Sequence, residues 1–409
     1  MLKKLILKNW KSFRYAELPI DSLTVLIGAN ASGKSNAIEA LDFLRRTSLG
    51  ENFNSILQQI RRNPNYLAWN NRKYFSLGVV VGDIEEETSF FYDLEIEINS
   101  NSRLSYLQEL LQQGDQYNRI GYLIKPDGKL IWANIQGIPG TEFPIEFVDS
   151  SKLSFFARSK MDNTSAPNAE NVDIKYIGYW KVASVLENIF ILNPKPEKMR
   201  DYAPITQDLL NDASNLAGVI AQLSEQQLSR FNQTISSYVK HLPERDIQRV
   251  WATPVGELET DAMLYCEEEW KPGEKIKIDA RSMSDGTLRF IAILTALLTR
   301  PKGSQLIIED IDDGLHPSRF DLLLKMLQEI GSQRQIDILV TTHNPAFLDR
   351  LAPDMTPFII VAHRDSETGE SRLTPLEEIH NFPKLYASDS IGNLVTKGAI
   401  ERGAARTSD

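Results

Sequence analysis

The sequence predicts an α/β fold in which a parallel sheet carries a phosphate-binding loop and an antiparallel β lobe accompanies that sheet. Three observations lead to this prediction. A glycine-rich segment at residues 28–35 lies between an apolar strand and a helix. Residues 75–135 show the alternation and turn signals of antiparallel strands. Residues 262–362 then alternate between short apolar strands and helices, which is typical of a parallel sheet covered by helices.

Length and composition set the class of protein. A chain of 409 residues exceeds one ordinary domain, so we expect two units or one domain with a large insertion. The net charge of -10 argues against a polycationic nucleic-acid binder but leaves room for a local basic groove. The single cysteine, Cys266, suits a reducing cytoplasm. The longest apolar stretch, 290–298, is too short to span a membrane, so we expect a cytoplasmic protein without membrane contact.

The segment GANASGKS (28–35) fits the pattern G-x-x-x-x-G-K-[ST] of nucleotide-binding loops. A strand is predicted before it at 23–27 and a helix after it at 36–46. Its glycines allow backbone N–H groups to curl around a phosphate chain, and the helix N-terminus adds partial positive charge. In this pattern Lys34 reaches the β- and γ-phosphates and Ser35 holds Mg²⁺. The alternative is an ordinary glycine-rich turn between a strand and a helix.

The remaining elements follow from hydrophobic period and turn residues. A strand at 2–7 leads to a turn at 9–13, and strands are predicted at 75–81 and 88–98. A hairpin is predicted at 119–135 around Pro126-Asp127-Gly128, followed by loops with short strands at 136–180. Two prolines at 194 and 196 indicate an extended start of a new unit. Helices are predicted at 207–223 and, behind a capping box at 224–227, to about 242; residues 403–409 are predicted to be a disordered tail.

The C-terminal half contains two apolar strands that end in polar side chains. Strand 305–308 ends in Glu309 and Asp310, and strand 336–341 is followed by His343. Ligands bind at the carboxyl ends of parallel strands, so these groups are expected beside the phosphate loop. We assign Glu309 to Mg²⁺ and Asp310 to the attacking water, with His343 bonding that water or a γ-phosphate. A pair of acids at a strand end is common, and a lone histidine is more often structural; the upstream loop favours the catalytic interpretation.

A second anion site is predicted where helix 285–299 begins. Ser284 is a natural N-cap, and Gly286 allows a phosphate to approach the backbone. Because Lys34 and its loop already hold a phosphate chain, this helix start is expected to serve a nucleotide bound to another subunit. The alternative is an ordinary capped core helix.

These motifs, in this order, resemble the ABC-type ATPase heads of the RecF/SMC/OLD group, in the branch named AAA_21 or AAA_15. GANASGKSN resembles Walker A, SMSDGT the signature motif, LIIEDIDDGLHP Walker B with its D-loop at 313–316, and TTHNPAFLD the switch-histidine segment. The likeness covers about residues 1–46 and 276–350. It implies an ABC-ATPase head formed by residues 1–192 and 249–409, with a small helical insertion at 193–248.

The resemblance also implies a role for each site residue. The ATP pocket would be formed by Gly28, Asn30, Gly33, Lys34, Ser35 and Asn36. Ser284 and Gly286 would contact the γ-phosphate across a head-to-head homodimer. Glu309 would support Mg²⁺, Asp310 would act as the catalytic carboxylate and His343 as the switch residue. The family more often has glutamate at the position of Asp310, so water activation is expected to be weaker or to depend on Asp312 or Asp313.

The function implied is an ATPase that forms ADP and phosphate, dimerises or assembles further around ATP, and controls a separate effector. Residues 344–409 leave no room for the Toprim nuclease of the OLD group, so we expect a separately encoded nuclease-like effector in bacterial anti-phage defence. Two alternatives remain: an ATP-stabilised scaffold with very slow hydrolysis that sequesters a toxin or effector, and RecF-like DNA repair. For DNA, the candidate phosphate contacts form two groups: Arg61, Arg62, Arg72 and Lys73; and Lys195, Lys198 and Arg200.

Overall fold

The computed structural model describes residues 1–60, 66–82, 89–100, 103–114, 119–124, 129–134, 139–144, 174–239, 247–271, 273–351 and 353–407. The chain forms two compact units. The first consists of Met1–Ile189, Pro357–Lys384 and Gly398–Asp409, and the second of Phe190–Thr356 and Leu385–Lys397. Both units are discontinuous in sequence, so each is closed by contacts between distant segments.

The strands and helices follow in chain order. The strands are β1 (Leu2–Trp10), β2 (Phe13–Pro19), β3 (Leu23–Ile27), β4 (Tyr74–Val81), β5 (Phe90–Ile98), β6 (Leu104–Gly114), β7 (Arg119–Ile124), β8 (Lys129–Asn134), β9 (Pro139–Pro144), β10 (Ile189–Leu192), β11 (Ala203–Pro204), β12 (Ile247–Val255), β13 (Asp261–Lys271), β14 (Glu274–Asp279), β15 (Gln305–Ile308), β16 (Asp337–Thr342), β17 (Ile359–Arg364) and β18 (Ser371–Pro375). The α-helices are α1 (Lys34–Ser48), α2 (Phe53–Gln59), α3 (Ile174–Glu187), α4 (Leu216–Gln222), α5 (Glu225–Val239), α6 (Asp285–Thr299), α7 (Phe320–Arg334), α8 (Pro345–Leu348), α9 (Phe382–Ser388), α10 (Ile391–Thr396) and α11 (Ala399–Thr407). Short 3₁₀ helices lie at Trp69–Asn71, Pro196–Lys198, Pro317–Arg319, Pro353–Phe358 and Leu376–Glu378.

The first unit contains the predicted antiparallel β lobe. Its strands lie in the order β2-β1-β4-β5-β6-β7-β8-β9, and every neighbouring pair is antiparallel. Burial alternates strictly along β5, as expected for a sheet with one face on the core. The prediction of antiparallel strands is therefore confirmed.

An aromatic cluster joins this sheet to helix α1. The ring of Trp10 on β1 lies 5.0 Å from that of Phe75 on β4 and 5.9 Å from that of Phe43 on α1. Phe43 in turn stacks on Phe53 of α2, with 6.0 Å between the ring centroids. All four side chains are fully buried, and burial of each contributes about 1.5–3 kcal/mol. Because α1 also carries the last two residues of the phosphate loop, Lys34 and Ser35, this cluster fixes where the loop ends.

The strand that precedes the phosphate loop is parallel to β17. Val25, Leu26 and Ile27 of β3 stand opposite residues 359–361, and β18 runs antiparallel on the far side of β17. All five residues of β3 are buried. This continuous apolar run is what a strand covered on both faces requires.

The second unit has two sets of strands. In one set β10, β15 and β16 are neighbours in that order, β15 and β16 are parallel, and helices α6 and α7 follow the pattern that the sequence predicted. In the other set β13 lies between β12 and β11 and also pairs with β14. The predicted α/β fold class, with a parallel sheet and an antiparallel lobe, is confirmed.

The helical segment before β12 differs in part from its prediction. The capping box forms, since Ser224 N–H donates to Gln227 Oε1 (2.9 Å) and Gln227 N–H donates to Ser224 Oγ (3.3 Å). A helix was predicted at 207–223. The prediction is wrong over 207–215, because the helix α4 begins only at Leu216. The side chain of Asn215 holds the preceding residues as a loop: it accepts from Leu210 N–H (2.9 Å) and donates to the Asp208 carbonyl (2.8 Å). Helices α4 and α5 pack against β12.

Other predictions also need correction. Strands β2 and β6 and helix α3 were not predicted, β9 falls within the short strands predicted at 136–180, and residues 403–407, predicted as a disordered tail, belong to helix α11. The turn at 126–128 lies outside the described residues. Helix α11 forms because Ile400 and Ala404 are fully buried, an i, i+4 pair that a short polar segment conceals. Among the described residues, no helix has both the length and the apolar character needed to cross a membrane.

Cys266 lies in the interior of β13. Its side chain is fully buried, and burial together with the nearby carboxylate of Glu268 raises the pKa of the thiol. The thiolate is the reactive form of cysteine, so this residue behaves as a small core side chain.

We expect Asn215→Ala to destabilise the protein by about 2 kcal/mol, because it removes a buried side chain whose hydrogen bonds hold the backbone of Asp208 and Leu210. Chemical denaturation followed by fluorescence measures this change. Asn211→Ala is the matched control: Asn211 is exposed in the same loop, and its loss should change stability by less than about 0.5 kcal/mol. Equal effects of both substitutions would contradict the role given to Asn215.

Candidate functional site

The phosphate loop lies in the first unit, between β3 and α1. Gly28 has a φ of 145°, and a Cβ at this position would collide with the carbonyl oxygen of Ala362 on β17. Gly33 has a φ of 120°, and its Cβ would lie 2.8 Å from Ser371 Oγ. Only glycine fits either position without strain. The two glycines that the motif requires are therefore imposed here by close approach of neighbouring strands.

The lysine of the loop curls back over it. Lys34 Nζ donates to the carbonyl oxygens of Gly28 (2.6 Å) and Ala29 (3.1 Å). An amine held at the mouth of the loop is poised to bind a phosphate chain that the loop encloses. Asn30 and Ser35 are exposed at the same loop, so their side chains are accessible to a ligand.

Asn36 has a different environment from the one expected of a nucleotide contact. Its amide nitrogen donates to Ser12 Oγ (2.7 Å), and its backbone carbonyl accepts from the indole N–H of Trp10 (2.7 Å). Ser371 Oγ also donates to Ser12 Oγ (2.8 Å), and Ser371 N–H donates to the Ser12 carbonyl (2.7 Å). Asn36 thus ties the start of α1 to the β1–β2 turn.

Sequence reasoning missed the residues that support the loop from a distance. Ser12 and Ser371 hold its helix end, and Arg364 Nε donates to the carbonyl of Ala31 (2.9 Å), whose φ is 62°. Ser371 and Arg364 are more than 300 residues from the loop, and nothing in the sequence near them marks them. Ser12 lies within the predicted turn at 9–13, which was the one available signal.

The acidic strand end lies in the second unit. Strand β15 is fully buried up to Ile308, and the next two residues, Glu309 and Asp310, are partly exposed. The backbone of Asp310 has a φ of 46°, a left-handed conformation that is unusual for a residue other than glycine. Thr341 of β16 holds it, since its Oγ1 accepts from Asp310 N–H (2.9 Å). Such a local constraint is typical of functional positions.

The structure brings Asp310 and His343 together. The Oδ1 of Asp310 lies 3.6 Å from the Nδ1 of His343, and about half of each side chain is exposed, 50% and 57%. Parallel pairing of β15 and β16 causes this, because both strands end at the same edge. The pair presents a carboxylate and an imidazole to the same space, a combination that can orient and deprotonate a water.

The two other acids considered for water activation are engaged elsewhere. Asp312 is buried and accepts a hydrogen bond from Thr342 Oγ1 (2.6 Å). Asp313 forms an ion pair with the buried guanidinium of Arg289 on α6 (2.7 Å). Asp310 is therefore the better candidate for contact with a substrate water.

The signature segment begins helix α6. Ser284 Oγ accepts from Thr287 N–H (3.0 Å), which makes Ser284 the N-cap as predicted, and its side chain is exposed. Gly286 is buried, and a Cβ there would lie 2.6 Å from the carbonyl oxygen of Gly314. Glycine at 286 therefore lets the helix start pack against the segment 313–316, which the Arg289–Asp313 ion pair also holds.

The oxygen donors fit Mg²⁺, which is typically held by one or two carboxylates, a hydroxyl, waters and substrate phosphates. Ser35, the second residue of α1 in the first unit, is exposed, and Glu309, directly after β15 in the second unit, is partly exposed. Among the described residues, no group of three or more His, Cys, Asp or Glu side chains could form a metal site by itself.

Comparison with known proteins identifies one family. The AAA_21 family model, described as "AAA domain, putative AbiEii toxin, Type IV TA system", matches residues 23–349. No curated protein matches the chain in sequence.

Similar solved structures include three SMC heads, all of low identity. An SMC head bound to the C-terminal winged-helix domain of ScpA has 17% identity and a TM-score of 0.48 over 92% of this chain and 99% of that chain. The SMC head domain from Thermotoga maritima has 14% identity and a TM-score of 0.43 over 91% of this chain and 98% of that chain. The third structure is an SMC head with an extended coiled coil, bound to the C-terminal domain of ScpA derived from Pyrococcus furiosus. It has 14% identity and a TM-score of 0.44 over 95% of this chain and 98% of that chain.

We expect Gly28→Ala to lower the melting temperature clearly more than Gly369→Ala, with differential scanning fluorimetry as the measurement. Both glycines belong to the first unit and have positive φ, but only Gly28 has a backbone carbonyl where its Cβ would be. Gly369→Ala therefore reports backbone strain alone, about 1 kcal/mol. If both variants melt together, close approach to Ala362 does not constrain the loop.

Proposed function

The chain belongs to the AAA_21 family of AAA domains, and from this premise we propose that it is an ATPase that binds ATP with Mg²⁺, hydrolyses it to ADP and phosphate, and dimerises around it. The observation that carries the proposal is the phosphate loop. A Cβ atom at either of its two glycines, Gly28 and Gly33, would collide with a neighbouring strand, and Lys34 donates hydrogen bonds to the loop carbonyls. A loop of this construction at the end of a buried strand is suited to a triphosphate.

Each motif has a role in the proposed reaction. The loop residues Gly28, Asn30, Gly33, Lys34 and Ser35 hold the phosphates, and Ser35 and Glu309 support Mg²⁺, which neutralises charge on the β- and γ-oxygens when bound. Asp310 accepts a proton from the attacking water, and His343 orients that water or the γ-phosphate. The contact between Asp310 and His343 supports this division of roles.

A homodimer is part of the proposal. Ser284 is exposed at the N-terminus of a fifteen-residue helix, where unpaired backbone N–H groups attract an anion. We assign this helix start to the γ-phosphate of ATP held by the second copy. A dimer that forms with ATP and separates after hydrolysis could transmit the state of the nucleotide to a partner.

We propose that this partner is a separately encoded, nuclease-like effector in anti-phage defence. The family description names a toxin of a toxin–antitoxin system, which supports control of an effector rather than metabolism. Copurification with the product of the adjacent gene tests this assignment, and a partner without nuclease or toxin activity would remove it.

We expect Lys34→Ala and Asp310→Asn each to reduce phosphate release by about a hundredfold or more, because one loses the charge at the phosphates and the other the proton acceptor. A steady-state phosphate assay measures the change. Lys302→Ala, which removes an exposed lysine that belongs to none of the motifs, is the control and should keep full turnover. Unchanged turnover in Lys34→Ala and Asp310→Asn would refute the proposed activity.

The scaffold alternative is favoured by the short side chain at position 310. Aspartate reaches one methylene less far than glutamate, and a slow active site would leave an ATP-bound assembly that sequesters an effector. Single-turnover kinetics separate the two functions. Hydrolysis within minutes, stimulated by DNA or a partner, excludes a static scaffold; hydrolysis over many hours excludes the ATP-driven cycle.

The DNA-repair alternative has little support from the basic group Lys195, Lys198 and Arg200. Lys198 pairs with Asp212 (3.0 Å), and Arg200 is bonded within its own unit. Arg72 and Lys73 are exposed beside a shallow concave surface of about 610 Å³, whereas residues 61 and 62 lie outside the described residues. Phosphate contacts by Arg72 and Lys73 require DNA affinity that falls steeply with salt.

A further inference from the structure

Arg200 makes an unusual set of contacts with the loop that precedes the signature helix. Its Nη1 donates to the carbonyl oxygens of Ala280 (3.2 Å), Arg281 (3.1 Å) and Met283 (2.8 Å), and its Nη2 pairs with the carboxylate of Asp285. Arg200 comes from a segment 80 residues earlier in the chain. We propose that Arg200 is a positioning residue that sets the start of α6 for contact with ATP bound to the second copy. This inference rests on the proposed function.

The first physical reason is geometric. Backbone carbonyls of a loop normally turn towards water, and three of them here converge on Nη1 of Arg200, whose two N–H groups they share and whose planar geometry restricts where they lie. The side chain of Arg200 is 30% exposed, so these charge-assisted bonds are partly shielded from solvent. The last of these carbonyls belongs to Met283, immediately before Ser284. Holding it fixes the direction in which the helix start points.

The second reason is electrostatic. Asp285 places a carboxylate at a helix N-terminus that the proposed function assigns to a γ-phosphate. Its carboxylate is 62% exposed and would repel that phosphate if left unpaired. The guanidinium of Arg200 lies against it and neutralises this charge. Arg200 therefore both orients the anion site and removes the charge that opposes it.

The experiment replaces Arg200 by methionine, which retains an unbranched stem. We expect turnover at saturating ATP to fall about tenfold or more, as small misplacements of reacting groups do, while the affinity of the phosphate loop for ATP stays within about twofold. Arg281→Ala is the control, since it removes an exposed ion pair from the same loop to Asp201 (2.9 Å) and should keep turnover within about twofold.

Mixing variants separates positioning from simple loss of folding. A protomer with Arg200→Met has an intact phosphate loop, and one with Lys34→Ala has an intact signature segment. An equimolar mixture should regain about a quarter of wild-type turnover, because half of the random dimers are mixed and each has one complete site. If Arg200→Met does not fold, Arg200→Lys takes its place, because it keeps the charge but lacks the planar fork.

The outcomes distinguish the two proposals. Full turnover in Lys34→Ala overturns the proposed function itself. An inactive Lys34→Ala combined with wild-type turnover in the Arg200 variant, or with no recovery on mixing, overturns only the positioning role. Recovery on mixing, with unchanged ATP affinity and an active Arg281→Ala control, supports it.

Discussion

Parallel pairing of buried strands is the constraint on which the candidate site depends. In the first unit, the pairing of β3 with β17 brings the carbonyl of Ala362 against Gly28 and so dictates the residue at the start of the phosphate loop. In the second unit, the pairing of β15 with β16 brings Asp310 to His343. In each unit the chemistry lies where an apolar strand ends, because the strand itself has no exposed surface to offer.

Polar side chains from distant segments then hold the loops that the strands deliver. Ser371 and Ser12 bond to each other beside the phosphate loop, Arg364 bonds its backbone, Thr341 bonds the backbone of Asp310, and Arg200 bonds the loop before α6. Of these residues only Thr341 belongs to a motif, as the first residue of the switch-histidine segment. Most act on backbone atoms, whose position would otherwise be set by competition with water. This arrangement explains how short loops keep residues such as Asp310 and Ala31 at positive φ.

The predictions failed where side-chain bonds or long-range burial compete with local pattern. Residues 207–215 have a helical apolar period, but Asn215 bonds the preceding backbone and ends that option. Helix α11 was predicted as a disordered tail because its composition is small and polar, yet Ile400 and Ala404 are buried in the first unit. Strand β2 was not predicted, although the turn before it was, and it forms by antiparallel pairing with β1. The burial that decides helix α11 lies outside the local window of sequence, whereas the bonds of Asn215 are local but are not visible in the hydrophobic period.

The sequence by itself determined the fold class, the family resemblance, the phosphate loop and the acidic strand end, because each rests on a short run of residues with a local physical meaning. Strand-ending carboxylates and glycine spacing are readable without knowing what lies nearby. The tertiary structure alone decided the partner of each carboxylate: Asp312 accepts a hydrogen bond from Thr342, Asp313 pairs with Arg289, and Asp310 lies beside His343. It also decided that Asn36 and Arg200 bond within the protein. Hydrogen bonds between residues far apart in sequence depend on the packed fold, and no local pattern encodes them.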